Sequence, residues 1–236
     1  MYNSYGYDGT GILSPVFLLL IAAFAVTLLA SAVMRATVST YDKKISLTGM
    51  TGWQTANRIL SSNGMTSVQV GRIAGNLTDH YDPRSKNVNL SDECYGKNSI
   101  AAIAIAAHEC GHAMQDAEGY VPLAIRSAVV PIANFGSSFS WIFIMVGLIF
   151  SMPVIARVGV YLFMAVVAFQ LITLPVEINA SHRAMKVLSS FGDIPQNELP
   201  QMRKVLIAAA MTYVAALASS ILQLIRLMLI TNRRRD

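Results

Sequence analysis

Charge is scarce in this chain. Only 13% of its 236 residues are Asp, Glu, Lys or Arg, against 54% hydrophobic ones; a soluble domain carries about 25% charged residues. That shortage argues against a disordered chain and against a freely soluble enzyme, and it points to membrane spans. Cysteine is scarcer still. Cys94 and Cys110 are too few for a disulfide framework and read as free thiols in a reducing setting. The net charge is +5, yet the bases do not cluster with aromatics as a nucleic-acid surface requires, which argues against DNA or RNA as a partner. There is no internal repeat and no low-complexity linker, and the length allows one domain with at most a small appendage.

What the chain does have is four apolar runs. Ile12 to Met34 carries no charge and is long enough to cross a bilayer, with Pro15 in its first turn, where proline is tolerated. A cleavable signal peptide is the competing reading, because Ala30-Ser31-Ala32 resembles a cleavage site. The length of the run and the lack of a preceding base favour a retained anchor. Val130 to Met152 is the weakest run, interrupted by Pro131, Asn134 and a Gly-Ser-Ser group. Val158 to Leu174 is short and closed by Pro175. Val205 to Ile225 ends at Arg226. Ser151 to Arg157 leaves room only for a tight hairpin between the second and third runs.

Lysine and arginine collect on cytoplasmic flanks. None precedes the first run, and Arg35, Lys43 and Lys44 follow it at once. The amino terminus is therefore expected outside and residues 36–127 inside. The segment 176–204, with Arg183, Lys186, Arg203 and Lys204, returns to the inside. Arg233-Arg234-Arg235 then falls outside if the fourth run crosses fully, against the rule.

Residues 36–98 form the one long polar stretch. Thr51 to Ser62 reads as a short helix with Trp53, Ala56, Ile59 and Leu60 on one face, stopped by Asn63-Gly64. Alternation at Val68, Val70 and Arg72, and again at Asn87-Val88-Asn89-Leu90, predicts two strands. Asp82-Pro83 is a turn signal. Asp92 to Asn98 reads as a loop into a helix capped by Ser99.

That helix runs through eight apolar residues into His108-Glu109-Cys110-Gly111-His112. Histidines four apart on a helix face the same way and can share one zinc ion. Glu109 can reach a zinc-bound water, which the metal acidifies toward pH ~7, and can pass its proton to a leaving amine. This is the H-E-x-x-H arrangement of zinc metalloproteases. The apolar approach to the motif makes a charged Glu109 costly unless it is used. The polar residues Gln115, Asp116 and Glu118 that follow make the helix too short to span. Cys110, between the histidines, faces away from the metal and reads as packing.

A catalytic zinc needs a third protein ligand and an open position. Glu177 is the only carboxylate between Glu118 and Asp193, and a lone carboxylate at the end of an apolar span needs a partner. Zinc is one such partner; Arg183 or Lys186 is the alternative, and His182 is the rival ligand. If the helix continues past Pro175, positions 177 and 182 differ by about 140° around its axis and cannot point equally well at one ion. Glu177 lies nearer the membrane boundary, where an unliganded carboxylate is worst solvated, which favours it. A tetrahedral oxyanion needs a further donor; His182 leads the candidates, ahead of Arg183, Tyr81 and His80.

Asp79-His80-Tyr81-Asp82-Pro83-Arg84, the stretch Ala107 to Ala113, and Leu174-Pro175-Val176-Glu177 through Ala180-Ser181-His182-Arg183-Ala184 together resemble the YugP-like membrane zinc metallopeptidases of bacteria. The resemblance covers nearly the whole chain. It implies a gluzincin-type site with His108, His112 and Glu177 as ligands and Glu109 as general base. It also implies kinship with the HtpX-like and CAAX prenyl membrane proteases. Those carry an Asp four residues after the ligand Glu, where it can orient the first histidine. Here Ser181 stands at that position, and a neutral hydroxyl orients a histidine more weakly.

The expectation is a mainly α, integral membrane protein with about four transmembrane helices and a zincin-like cytoplasmic catalytic part holding a small β-sheet. The chain divides into a short extracytoplasmic amino terminus (1–11), a first span (12–34), a catalytic region (35–127), two spans (128–152 and 153–175), a third-ligand helix and loop (176–204), a fourth span (205–226) and a basic tail (227–236). Its activity is zinc-dependent hydrolysis of peptides or membrane proteins at the cytoplasmic face of a bacterial plasma membrane, with the strand at Val88 and Leu90 offered to an extended substrate. A zinc-binding membrane scaffold or adaptor without turnover is the alternative. Glu109 favours the enzyme, because a purely structural zinc is usually closed by four protein ligands.

Overall fold

Among the described residues, four helices are long and apolar. The computed structural model describes residues 14–232; the expected amino terminus (1–11), the start of the first run at Ile12 and the Arg233–Arg235 tail lie outside them. Helix α1 spans Pro15–Asp42, α2 Gly52–Ser62, α3 Asp92–Tyr95, α4 Ile100–Ala117, α5 Val121–Ile149, α6 Pro153–Ser190 and α7 Leu199–Asn232. The strands are β1 Gln69–Ile73, β2 His80–Asp82 and β3 Asn87–Ser91. Helices α1, α5, α6 and α7 are each long and apolar enough to cross a membrane, and α4 is not among them. The protein is mainly helical with a small mixed sheet, as the sequence leads one to expect.

The helices differ from the apolar runs in two instructive ways. Pro131 lies inside α5 rather than weakening it, and α6 passes through Pro175 rather than ending there. Proline removes one backbone hydrogen bond and crowds the preceding turn, a loss that membrane helices tolerate when neighbours compensate. In α6 the compensation is visible just beyond the proline. Val176, Ala180, Ala184 and Leu188, four residues apart, form a fully buried stripe. The third span and the third-ligand helix are thus one element.

Two compact units are distinguished. One comprises residues 14–30, 128–171 and 213–232. Its core contains Ile144, Val160, Phe163, Val167 and Leu227. Within it the Thr27 and Ser219 hydroxyls lie 2.7 Å apart and both reach the Ala23 carbonyl, tying α1 to α7 through small polar side chains.

The other unit comprises residues 31–127 and 172–212. Its core is α4, which is buried on nearly all sides: Ala101, Ala102, Ile103, Ala104, Ala106 and Ala107 are almost inaccessible. Ser99 caps this helix, accepting a hydrogen bond from the Ala102 amide at 3.1 Å. Helix α2 packs against the same core through Ala56, Ile59 and Leu60. Thr51 is its N-cap rather than its first residue, in a reciprocal capping box with Gln54. The helix stops at Asn63, and Gly64 follows in a left-handed conformation, φ +70°. The short helix α3 replaces the first part of the loop expected over 92–98.

The sheet has the order β1-β3-β2, with β1 parallel and β2 antiparallel to β3. Alternation locates β1 and β3, but β3 is the central strand, with Val88 and Leu90 buried in the core. Its hydrogen bonds are taken on both sides, so it cannot receive an extended peptide as expected. The edges belong to β1 and β2.

Candidate metal centre

The site is made where α4 and α6 run close together. A Cβ placed on Gly111 would fall 2.4 Å from the carbonyl oxygen of Ala180, so only glycine fits at the crossing. This approach brings the side chains on either side of Gly111 to face Glu177. His108 Nε2 lies 3.2 Å and His112 Nε2 3.5 Å from Glu177 Oε2. The three potential ligand atoms all lie within 4.8 Å of one another. The two imidazoles meet edge-on, with centroids 4.8 Å apart and planes at 81°, so their nitrogens converge without the rings stacking.

The two His–Glu separations fit a tetrahedral zinc. Bonds of about 2.0–2.1 Å to nitrogen and oxygen set ligand atoms about 3.3–3.4 Å apart, close to both His–Glu distances. The donor set of two imidazoles and one carboxylate is the one zinc takes when a fourth position is kept for water or substrate. Glu177 is only 2% exposed and His112 7% exposed, so these two are shielded from bulk solvent, while His108 is half-buried.

Hydrogen bonds on the far side of each ring set its orientation. Gln115 Nε2 donates to the Val176 carbonyl at 2.8 Å and to Asn179 Oδ1 at 2.9 Å. Its Oε1 therefore faces His112 Nδ1, at 3.0 Å. An amide oxygen only accepts, so His112 carries its proton on Nδ1 and leaves Nε2 with a lone pair for the metal. Ser181 Oγ lies 3.1 Å from His108 Nδ1, which places the neutral hydroxyl against the first histidine, in the position the sequence resemblance picks out. A hydroxyl can donate or accept, so this contact does not dictate the tautomer as Gln115 does.

Glu109, beside His108 on α4, is 7% exposed. Burial pushes its carboxyl up to about 7; His108 and His80 oppose the shift, and the carboxylates of Glu177 and Asp79 add to it. Glu177 has a further partner, Arg126 on α5, whose Nη1 lies 3.0 Å from Oε1. Sequence reasoning offered Arg183 or Lys186 for this role. Arg183 instead donates to Asn179 Oδ1 at 2.7 Å and to Glu118 at 2.5 Å.

The remaining candidates are dispersed. His182 is exposed on α6 and is not part of the converging group. The Tyr81 hydroxyl donates to Asp116 at 2.7 Å, and burial together with that carboxylate holds its pKa well above the usual range. His80 Nδ1 donates to the Thr78 carbonyl, which leaves its Nε2 to accept from Asn89. Cys110 is buried, its Sγ 3.7 Å from the Ala56 carbonyl, on the side of α4 that packs against α2.

Sequence reasoning missed Gln115, Asn179 and Arg126. Gln115 could have been found three residues after His112, on the same helix face. Arg126 is the only lysine or arginine between Lys97 and Arg157 and opens an apolar run, the same signal that singled out Glu177.

Residues 16–232 match the family described as "Putative neutral zinc metallopeptidase". The chain is 42% identical over 218 residues to the "Putative membrane protease YugP" of Bacillus subtilis (strain 168), an alignment covering 92% of this chain and 97% of that protein. No solved structure matches.

Proposed function

The chain belongs to the "Putative neutral zinc metallopeptidase" family, and from that premise we propose that it is a membrane-embedded, zinc-dependent endopeptidase. The observation that carries the reading is the convergence of His108, His112 and Glu177 next to the buried carboxyl of Glu109. His108, His112 and Glu177 would hold the zinc. Bound there, it acts as a Lewis acid toward the scissile carbonyl and the attacking water.

The protein's own groups do the rest. Glu109 in its ionised form accepts a proton from the water as it attacks the peptide carbon, and then delivers that proton to the leaving nitrogen. No covalent bond forms between enzyme and substrate. Gln115 and Ser181 keep the two imidazoles aimed inward. His182 is assigned as the donor to the tetrahedral oxygen. The support is its position five residues after Glu177 on α6 and a ring that makes no hydrogen bond among the described residues. An extended peptide would lie along the outer edge of β2, which is joined to α4 through Tyr81 and Asp116.

On this reading the site faces the cytoplasm. The support is the lack of bases before the first run and the presence of Arg35, Lys43 and Lys44 after it. Peptides or membrane proteins are the substrates this arrangement serves.

The test is cleavage of casein and of a detergent-solubilised membrane protein by the purified chain. Hydrolysis lost on chelation and restored by zinc is expected. Stoichiometric zinc without cleavage of either would favour a zinc-binding membrane scaffold.

A further inference from the structure

We propose that Arg126 is a positioning residue of the metal site, holding Glu177 so that its carboxylate presents one oxygen to the ion. The proposal rests on the metallopeptidase reading and concerns a side chain outside the H-E-x-x-H motif. The two oxygens of Glu177 have different neighbours. Oε2 faces the Nε2 atoms of both histidines, at 3.2 and 3.5 Å, while Oε1 lies 3.0 Å from Arg126 Nη1. A carboxylate free to rotate could place both oxygens on the ion and fill the position that water needs. The ion pair with Arg126 draws Oε1 away from the ion and opposes that rotation.

Arginine suits the task. Its guanidinium stays charged across the working pH range, so the attraction on Oε1 persists wherever Glu177 is ionised. Glu177 is almost inaccessible, and a buried carboxylate with a cation beside one oxygen resists turning. The cation comes from a third helix. The histidines lie on α4, Glu177 on α6 and Arg126 near the start of α5.

The experiment uses the full-length protein in detergent. Zinc affinity is measured by competition with a chromophoric chelator, and coordination is followed by the visible absorption of the cobalt-substituted form. In Arg126→Met, zinc affinity should fall about 10- to 100-fold, and the intense absorption of four-coordinate cobalt should weaken as Glu177 supplies a second oxygen. Arg126→Lys keeps a cation in place and should recover most of both signals. If the methionine variant does not fold, Arg126→Gln carries the same expectation.

Wild-type affinity and a wild-type cobalt spectrum in Arg126→Met or Arg126→Gln would overturn the proposal. So would a loss of thermal stability in the metal-free variant with the spectrum unchanged, which would mark a salt bridge that only fastens α5 to α6. Metal signals that depend on Arg126 in a protein that cleaves nothing would support the proposal while overturning the peptidase reading alone.

Discussion

Gly111 and Ala180 touch backbone to backbone, and this contact decides where the metal ligands meet. A methyl group on Gly111 would press on the Ala180 carbonyl oxygen at 2.4 Å and on its carbonyl carbon at 3.0 Å. Neither backbone atom can move without moving its helix. His108 and His112 flank the contact on α4, and Glu177 lies one turn before it on α6.

Gly111→Ala should therefore push the two helices apart. Overpacking of this kind costs about 1–3 kcal/mol, and the separation falls on the His–Glu distances. We expect a lowered thermal midpoint in the metal-free protein and a larger proportional loss of zinc affinity, read by chelator competition. Wild-type zinc binding in this variant would mean the crossing does not set the site.

Ser181→Ala removes the hydrogen-bond partner of His108 Nδ1 and leaves the ring free to turn. Loss of such a supporting contact typically weakens metal binding about 10- to 100-fold. Ser181→Asp should bind zinc at least as tightly as wild type, because a carboxylate accepts from Nδ1 and raises the basicity of Nε2. Equal affinity in all three proteins would contradict this role.

Much of the site could be read before the fold was known, because its signals are local. The four-residue spacing of His108 and His112 places both on one helix face. The isolation of Glu177 among apolar residues marks a carboxylate in need of a partner. The caps at Thr51 and Ser99 and the alternation in β1 and β3 are local as well. What could not be read depends on distant parts of the chain. Strand β2 is three residues long and ends at the Asp82-Pro83 turn, too short for alternation to show. The central place of β3 follows from pairing with β1 in parallel and β2 in antiparallel, which nothing in Asn87–Ser91 itself specifies. The passage of α6 through Pro175 depends on the stripe that packs beyond it. Arg126 meets Glu177 only once α5 and α6 are in place.

Glu177 and His182 should behave differently when truncated. Glu177→Ala removes a ligand and the partner of Arg126, and should lose most of the bound zinc. His182→Ala should keep its zinc and at most slow turnover, since the ring is exposed and stands apart from the converging atoms. Metal analysis of both purified variants decides the matter; zinc lost from the His182 variant and retained by the Glu177 variant would reverse the assignment.

The proposed orientation is open to cysteine labelling. Both native cysteines are buried, so background reaction with an impermeant thiol reagent is small. A cysteine at position 44 should be protected in intact cells and react after permeabilisation, whereas one at position 5 should react in both. Labelling of position 44 in intact cells would move the metal site to the outer face.

In the proposed mechanism this chain hydrolyses peptides with a zinc held by His108, His112 and Glu177 and a proton carried by Glu109. The most direct measurement is the zinc content and casein-cleavage rate of Glu109→Gln beside the wild type. The amide matches the carboxylate in shape but cannot accept the water's proton. One zinc per chain is expected in both proteins, with hydrolysis in the wild type alone. Wild-type turnover in the glutamine variant would contradict it.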